Sequence, residues 1–218
     1  MATKFLNIEV KPNEKNKIIL ENIVKMLTNR KNILNPDNLE KNIEVLQKQL
    51  DDNLVFKIKS EYDNTEYYVK FYFQKLTTIK KITPIEDFLS KTKGKNKIIV
   101  INNINQKVYK QFMEYSNLEI FFDYELMINL VDIKLIPKHS PLNEKEKEEY
   151  LDSYQHNIME NGTIRGMSRM NITDPVARYY NMRAGDIVKI VRPSTTSGYG
   201  VFYRKLVPGP NLLFSGPK

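Results

Sequence analysis

Few residues of this chain have the types and neighbours that covalent or metal chemistry requires. His139 and His156 are its only imidazoles. A helical stretch separates them and neither has a ligand set beside it, so no metal site is expected. His139, in IPKHSP between Pro137 and Pro141, reads as a hydrogen-bonded hinge residue rather than a general base. Ser194, Thr195, Thr196 and Ser197 offer hydroxyls, but no glycine elbow surrounds them and no histidine is close in sequence. Gly198 and Gly200 fall short of a phosphate-cradling loop, which needs more glycines between a strand and a helix. Without cysteine there is no disulfide, thiolate metal site or thiol nucleophile, which suits a reducing compartment. The expectation is a chain with no catalytic residue, metal or cofactor of its own.

Binding chemistry is better represented. Lys and Arg number 34 against 26 Asp and Glu, a net charge of +8, which makes a polyanion a candidate partner through phosphate neutralisation. The chain is also rich in Lys, Asn and Ile together, as AT-rich coding produces, so charge alone does not select nucleic acid. In NNINQKVYKQF, Asn105 can cap a helix whose first turns carry Lys107 and Lys110. Amide donors at a helix start with two ammonium groups nearby suit a phosphate backbone, although an ordinary capped surface helix is spelled the same way. YYVKFYFQK interleaves basic and aromatic residues as base-stacking grooves do, yet alternating aromatics equally make the two faces of a packed strand. A metal-dependent nuclease would need paired carboxylates and a lysine on one sheet. VFKIKS and YYVKFYFQK supply Lys57, Lys59 and Lys70 with no carboxylate two residues before a lysine. A nuclease and a free-standing nucleic-acid-binding protein stand as alternative functions.

The elements that must position these groups follow from hydrophobic period. Ile19, Ile23, Met26 and Leu27 predict a helix over Lys17–Arg30, and Pro36 opens a second whose face carries Leu39, Ile43, Leu46 and Leu50, ending near Asp51. The period then changes to two. Leu54, Phe56 and Ile58, then Tyr67, Val69, Phe71 and Phe73 beyond EYDNTE, predict an antiparallel hairpin. Thr83, Pro84 and Glu86 spell a capping box for a short helix. KIIVIN reads as a buried strand, Asn105 to about Tyr115 as a helix, LEIFF as a strand and DYELMINL as a short helix. Interleaved in this way, residues 1–134 predict an α/β layer structure.

LIPKHSPL carries two prolines and is expected to be a hinge. Beyond it Asn143 caps a helix with Glu144 and Glu146 in its first turn and Tyr150, Leu151 and Tyr154 on one side, and HNIMENGTIRGM reads as a loop. In TDPVARYYNMRAG, Thr173 or Asp174 caps, Pro175 sits near the start, Val176, Tyr179 and Tyr180 face inward and Gly185 releases the chain. IVKIV and VFYRKLV are two strands joined by PSTTSGYG. Residues 135–207 thus form a small mixed α/β body, and 208–218, PGPNLLFSGPK, a tail. No apolar run approaches the roughly 20 residues of a membrane helix, and Met1–Val10 lacks the order of a secretory leader. The chain reads as soluble and intracellular.

At IPKH, DPVARYY and GDIVKIVRPSTTSGYGVFYR the sequence resembles the fifth common subunit of eukaryotic nuclear RNA polymerases, whose C-terminal domain is similar to the H-type subunit of archaeal polymerases. Ile136 to His139, Asp174 to Ala177, Arg183 and Gly185, Val188 to Ile190, Arg192 to Ser194, and Tyr203 with Arg204 carry that likeness in order and spacing. IIVINNINQKVYKQF and EIFFDYELMINLVDIKLIPKH resemble the end of the family's N-terminal domain. From Met1 to about Leu89 only element order matches. The resemblance implies a non-catalytic polymerase subunit. Its N-terminal α/β jaw would share the topology of restriction-type nucleases without their active site and face downstream duplex DNA. Its C-terminal domain would dock on the largest subunit. Docking then falls to Pro137, Lys138, His139, Asp174, Pro175, Val176, Arg178, Arg192, Pro193 and Tyr203, and DNA contact to Asn105, Lys107 and Lys110. Three departures stand out. The chain runs a few residues longer between Tyr154 and Thr173. Asn105, Gln106 and Lys107 replace a threonine, proline and serine at the helix start that lies toward DNA. The tail after Val207 has no counterpart. The compositional skew and the departures in the N-terminal half point to a large DNA virus, hence to host cytoplasm or virion. A cellular origin would instead mean the nucleus.

Overall fold

The computed structural model describes residues 11–30, 33–49, 54–76, 83–153 and 166–209, and the chain divides into two units, residues 1–129 and 130–218. Leu50 and Asp51, Tyr154, His156 and most of the 154–166 loop, the tail from 210 on and the side chain of Thr83 lie outside what is described. No described helix is long and apolar enough to cross a membrane.

In the first unit, α1 (Pro12–Asn29) starts ahead of its apolar stripe, because Pro12 occupies the first helical position, where a missing N–H costs nothing. A 3₁₀ turn (Pro36–Asn38), capped by Asn35, leads into α2 (Leu39–Gln49). Then follow β1 (Val55–Lys59), β2 (Glu66–Leu76), α3 (Thr83–Lys91), β3 (Asn96–Ile104), α4 (Gln106–Met113) and β4 (Leu118–Phe122). The sheet order is β1-β2-β3-β4; β1 is antiparallel to β2, and β3 and β4 continue parallel to it. Lys97 to Ile101 are buried in succession, so both faces of β3 are covered, as a parallel strand requires. The crossovers α3 and α4 step the same way along the sheet and so share one of those faces. Buried Lys97 donates to the carbonyls of Thr92 at 3.0 Å and Lys95 at 2.8 Å, and burial lowers its pKa.

Two ion pairs fix α1 along β4. Lys15 meets Asp123 at 2.5 Å just past the end of β4, and Arg30 grips Glu119 near its start. DYELMINL forms the expected short helix only over its first half and as a 3₁₀ turn: after Asp123–Leu126 the chain bends away. The Leu126 carbonyl accepts the Asn22 side-chain amide at 2.8 Å, which gives that carbonyl a partner outside any continuing helix.

The second unit contains β5 (Lys138–Pro141), α5 (Glu144–Ser153), β6 (Arg169–Asn171), α6 (Pro175–Tyr179), β7 (Ile187–Ser194) and β8 (Gly198–Val207). Its sheet runs β5-β7-β8-β6, with β6 parallel to β8 and the other pairs antiparallel. Half of the proposed hinge LIPKHSPL is therefore strand β5. Proline is tolerated there because β5 is an edge strand and Pro141 ends it. Leu130 and Ile136 pack on this unit's core, so the segment entering β5 belongs to the unit. PSTTSGYG is likewise shorter as a connection than expected, since both strands run on until only Thr195–Ser197 remain between them. α5 opens with a reciprocal cap: Asn143 Oδ1 accepts the Glu146 N–H and Glu146 Oε2 accepts the Asn143 N–H, each at 2.8 Å.

Candidate docking surface and nucleic-acid interface

In TDPVARYY the local chemistry resolves as a cap. Asp174, in extended backbone, accepts the Val176 N–H at 2.9 Å, and Pro175 takes the first helical position, an arrangement worth about 1 kcal/mol. Val176 and Ala177 then pack with Met182, Met170, Val188, Ile190 and Leu206. Tyr180 is half-buried and edge-on to buried Tyr179 at 5.1 Å between ring centroids, and burial raises the pKa of its phenol. Gly185, at φ +97, makes the left-handed turn into β7. The Arg178 amide returns to the Asp174 carbonyl at 2.9 Å, and its side chain is half-buried.

The sheet has two distinct faces. α6 covers Val188 and Ile190 on one. On the other, Ile187 and Met167 pack with Leu142, Tyr150, Leu151 and Tyr203, and Tyr203 lies 4.1 Å from Tyr150 between centroids. Cross-strand register then sorts the docking candidates, since directly opposed residues share a face. His139 opposes Ile190 and so shares the α6 face, with Arg192 two residues further along β7. Lys138, opposite Val191, and Pro193, opposite Tyr199, share the face of Tyr203. The candidates therefore do not converge on one patch. His139 Nδ1 sits 2.7 Å from the Pro137 carbonyl oxygen, which can only accept, so that nitrogen carries the proton.

Beyond Val191 β7 loses β5, and β6 covers β8 only from Lys205 onward, so the tip of the β7–β8 hairpin projects as a two-stranded ribbon. Proline at 193 is compatible with that position because the strand has no second neighbour there. Exposed apolar residues lie on both faces of this hairpin: Tyr199, 72% exposed, on the ribbon itself, and Val201, 50%, and Phe202, 41%, at its base opposite Val191 and Ile190. The Phe202 ring lies over Gly200, where a Cβ would approach it to 2.9 Å, and the Arg192 guanidinium stacks 4.0 Å from the ring centroid. Sequence reading missed these three residues. Val201, Phe202 and Tyr203 are apolar in succession, which spells a strand covered on both sides.

In the first unit, Asn105 caps α4 by accepting the Val108 N–H at 2.9 Å. Val108, Tyr109 and Phe112 are buried, which leaves Lys107 and Lys110, one turn apart, exposed on the opposite face. No acid lies in the first turn. Lys57 and Lys70 are occupied differently. Lys57 pairs with Glu66, which also binds Lys95 and the Tyr68 hydroxyl, each at 2.9 Å. Those donors, Lys57 first, hold the Glu66 carboxyl down at about 2. Lys70 is buried, with its ammonium 5.8 Å from the Phe88 centroid. Among the described residues no group of three or more Asp, Glu or His is arranged to hold a metal ion.

A family model described as RNA polymerase Rpb5, C-terminal domain, matches residues 128–206. Over 213 residues the chain is 35% identical to DNA-directed RNA polymerase subunit 5 of Acanthamoeba polyphaga mimivirus, spanning 93% of this chain and 97% of that one. It is 31% identical over 159 residues to the subunit rpabc1 of RNA polymerases I, II and III of Dictyostelium discoideum, covering 70% of this chain and 78% of the relative. With RPABC1 of Caenorhabditis elegans it shares 39% identity over 90 residues, 41% of this chain and 40% of the relative.

Proposed function

The chain belongs to the Rpb5 family of RNA polymerase subunits, and from that membership we propose that it is a non-catalytic subunit of a multisubunit DNA-directed RNA polymerase. The observation that carries the reading is likeness along nearly the whole of a viral polymerase subunit, not along one module. A nuclease or free-standing nucleic-acid-binding protein is not favoured, since the relatives matched over most of their length are named as polymerase subunits.

Within the complex, the second unit docks on the largest subunit and the first faces downstream DNA. The projecting hairpin supports the docking role, because apolar residues exposed on both faces at its tip and base call for a protein partner. The face of α4 bearing Lys107 and Lys110 supports the DNA role. The polymerase is that of a large DNA virus, acting in host cytoplasm or carried in the virion. A gene flanked by host genes on a cellular chromosome would place it in a nucleus instead.

The DNA role is tested in the assembled polymerase. Changing Lys107→Ala with Lys110→Ala should weaken retention of downstream DNA and lower the slope of log affinity against log salt by up to about 2. An unchanged slope would remove these lysines from the interface.

A further inference from the structure

We infer that the α6 side of the second sheet receives an acidic segment of the largest subunit, with a carboxylate held by Arg192 and an apolar side chain lying on Phe202 beside Arg204. The inference rests on the docking role proposed for the second unit. It goes further by fixing which face of the hairpin docks and the chemistry that the partner brings.

The strands of this sheet carry Lys138, Arg169, Lys189, Arg192, Arg204 and Lys205 and no Asp or Glu. The helices treat its two faces differently. On the face of Tyr203, α5 packs through Tyr150 and Leu151 and brings Glu144, Glu146, Glu148, Glu149 and Asp152, so positive charge there is offset within the unit. α6 contains no acid. The acids that flank it in sequence are engaged by backbone: Asp174 accepts the Val176 N–H at 2.9 Å and Asp186 the Arg183 N–H at 2.6 Å. Asp132, exposed in the segment that enters β5, pairs with neither Arg192 nor Arg204.

Both arginines are exposed on the α6 side and bracket Phe202. Arg192 lies opposite Gly200, Phe202 opposite Ile190 and Arg204 opposite Val188. Arg192 is held in place. Gly200 leaves the space in which the Phe202 ring folds back, and the guanidinium lies 4.0 Å from the ring centroid. Stacking occupies the face of the guanidinium and leaves its in-plane N–H donors for a planar carboxylate. Among the described residues no acid and no carbonyl engages either arginine side chain.

An arginine already ordered by an aromatic ring loses less rotamer freedom on binding, and Arg with an aromatic neighbour is the usual composition of a docking centre. A phosphate could use the same donors. The exposed Phe202 ring needs apolar cover as well, which a protein segment supplies and a duplex backbone does not.

The test uses the full chain in the assembled polymerase. Arg192→Gln should weaken incorporation about tenfold, with the chain's denaturant midpoint close to the parent's. Adding Arg204→Gln should weaken it further and flatten its dependence on salt. Arg192→Lys keeps the charge and adds a primary amine, so it should still incorporate. A water-soluble carbodiimide activates a carboxyl group and leaves as the urea when an amine attacks. With it, the Arg192→Lys polymerase should gain an amide bond from position 192 to an Asp or Glu of the largest subunit, and the parent should gain none there. The inference is overturned if the double glutamine variant incorporates normally, or if the new bond runs to Asp132, to another subunit or to no residue. It is also overturned if the arginine variants lose downstream DNA while every subunit is retained. If Phe202→Ala blocks incorporation and the arginine variants do not, the acidic segment alone fails. If neither change alters incorporation, docking through this hairpin fails with it.

Discussion

Glu119→Ala is expected to cost about 3–5 kcal/mol of unfolding free energy, the largest stability effect of any single change considered for the first unit. The Arg30 side chain is 3% exposed, and its guanidinium donates from Nη1 to Oε1 at 2.9 Å and from Nη2 to Oε2 at 2.6 Å of Glu119. This bidentate pair ties the last turn of α1 to β4 across 89 positions of sequence. Removing the carboxylate leaves a buried cation without its principal anion. The converse change, Arg30→Ala, should cost less, because Glu119 is 17% exposed and can hydrate. Arg30→Met combined with Glu119→Leu should recover most of the loss, since an apolar pair of similar volume needs no desolvation of charge. The surface pair Lys25–Glu21 provides the contrast: Lys25→Ala should change stability by no more than about 0.5 kcal/mol. Denaturant unfolding of the full chain measures all four. A loss under about 1 kcal/mol for Glu119→Ala would mean that the pair is not what anchors α1.

Phe202→Ala is the corresponding experiment on the docking surface. Its ring is 41% exposed and otherwise packs on Gly200 and Arg192, so the change should cost the chain's own unfolding no more than about 1 kcal/mol. Incorporation into polymerase should fall sharply. A central aromatic that fills a partner's pocket typically contributes about 2 kcal/mol or more, about 30-fold in affinity. Gly200→Ala should act in the same direction by displacing the ring that lies over it. Val201→Glu probes the opposite face of the ribbon, with Tyr199 and Pro193, and so shows which face meets the partner. Quantitative co-purification with each variant is the measurement. Normal incorporation of both Phe202→Ala and Val201→Glu would remove the ribbon from the interface.

What was legible in the sequence was local. The caps at Asn105, Asn143 and Asp174 are spelled by a polar residue followed within one turn by the amide it serves, and all three are observed. Strand and helix alternation in the first unit follows from period alone. Features that depend on distant partners were not legible. Nothing near Arg30 announces Glu119, and nothing in DYELMINL announces that Asn22 of α1 takes the Leu126 carbonyl. The strand at Lys138–Pro141 was hidden by its prolines, which are acceptable only because β5 lies at the edge of its sheet. β6, three residues long, is too short for any period to register. The candidate sites divide in the same way. A cap at Thr173 or Asp174 could be read from its own residues, whereas the exposure of Tyr199, Val201 and Phe202 depends on where neighbouring strands stop.

The most direct test of the central claim is affinity purification of this chain from its native source, with mass spectrometry and primer-extension assay of the eluate. The account predicts two very large subunits in stoichiometric amounts, with RNA synthesis directed by a DNA template. Recovery of the chain alone, binding or cutting DNA without polymerase, would contradict it, and would mean that a shared fold had been taken for a shared role.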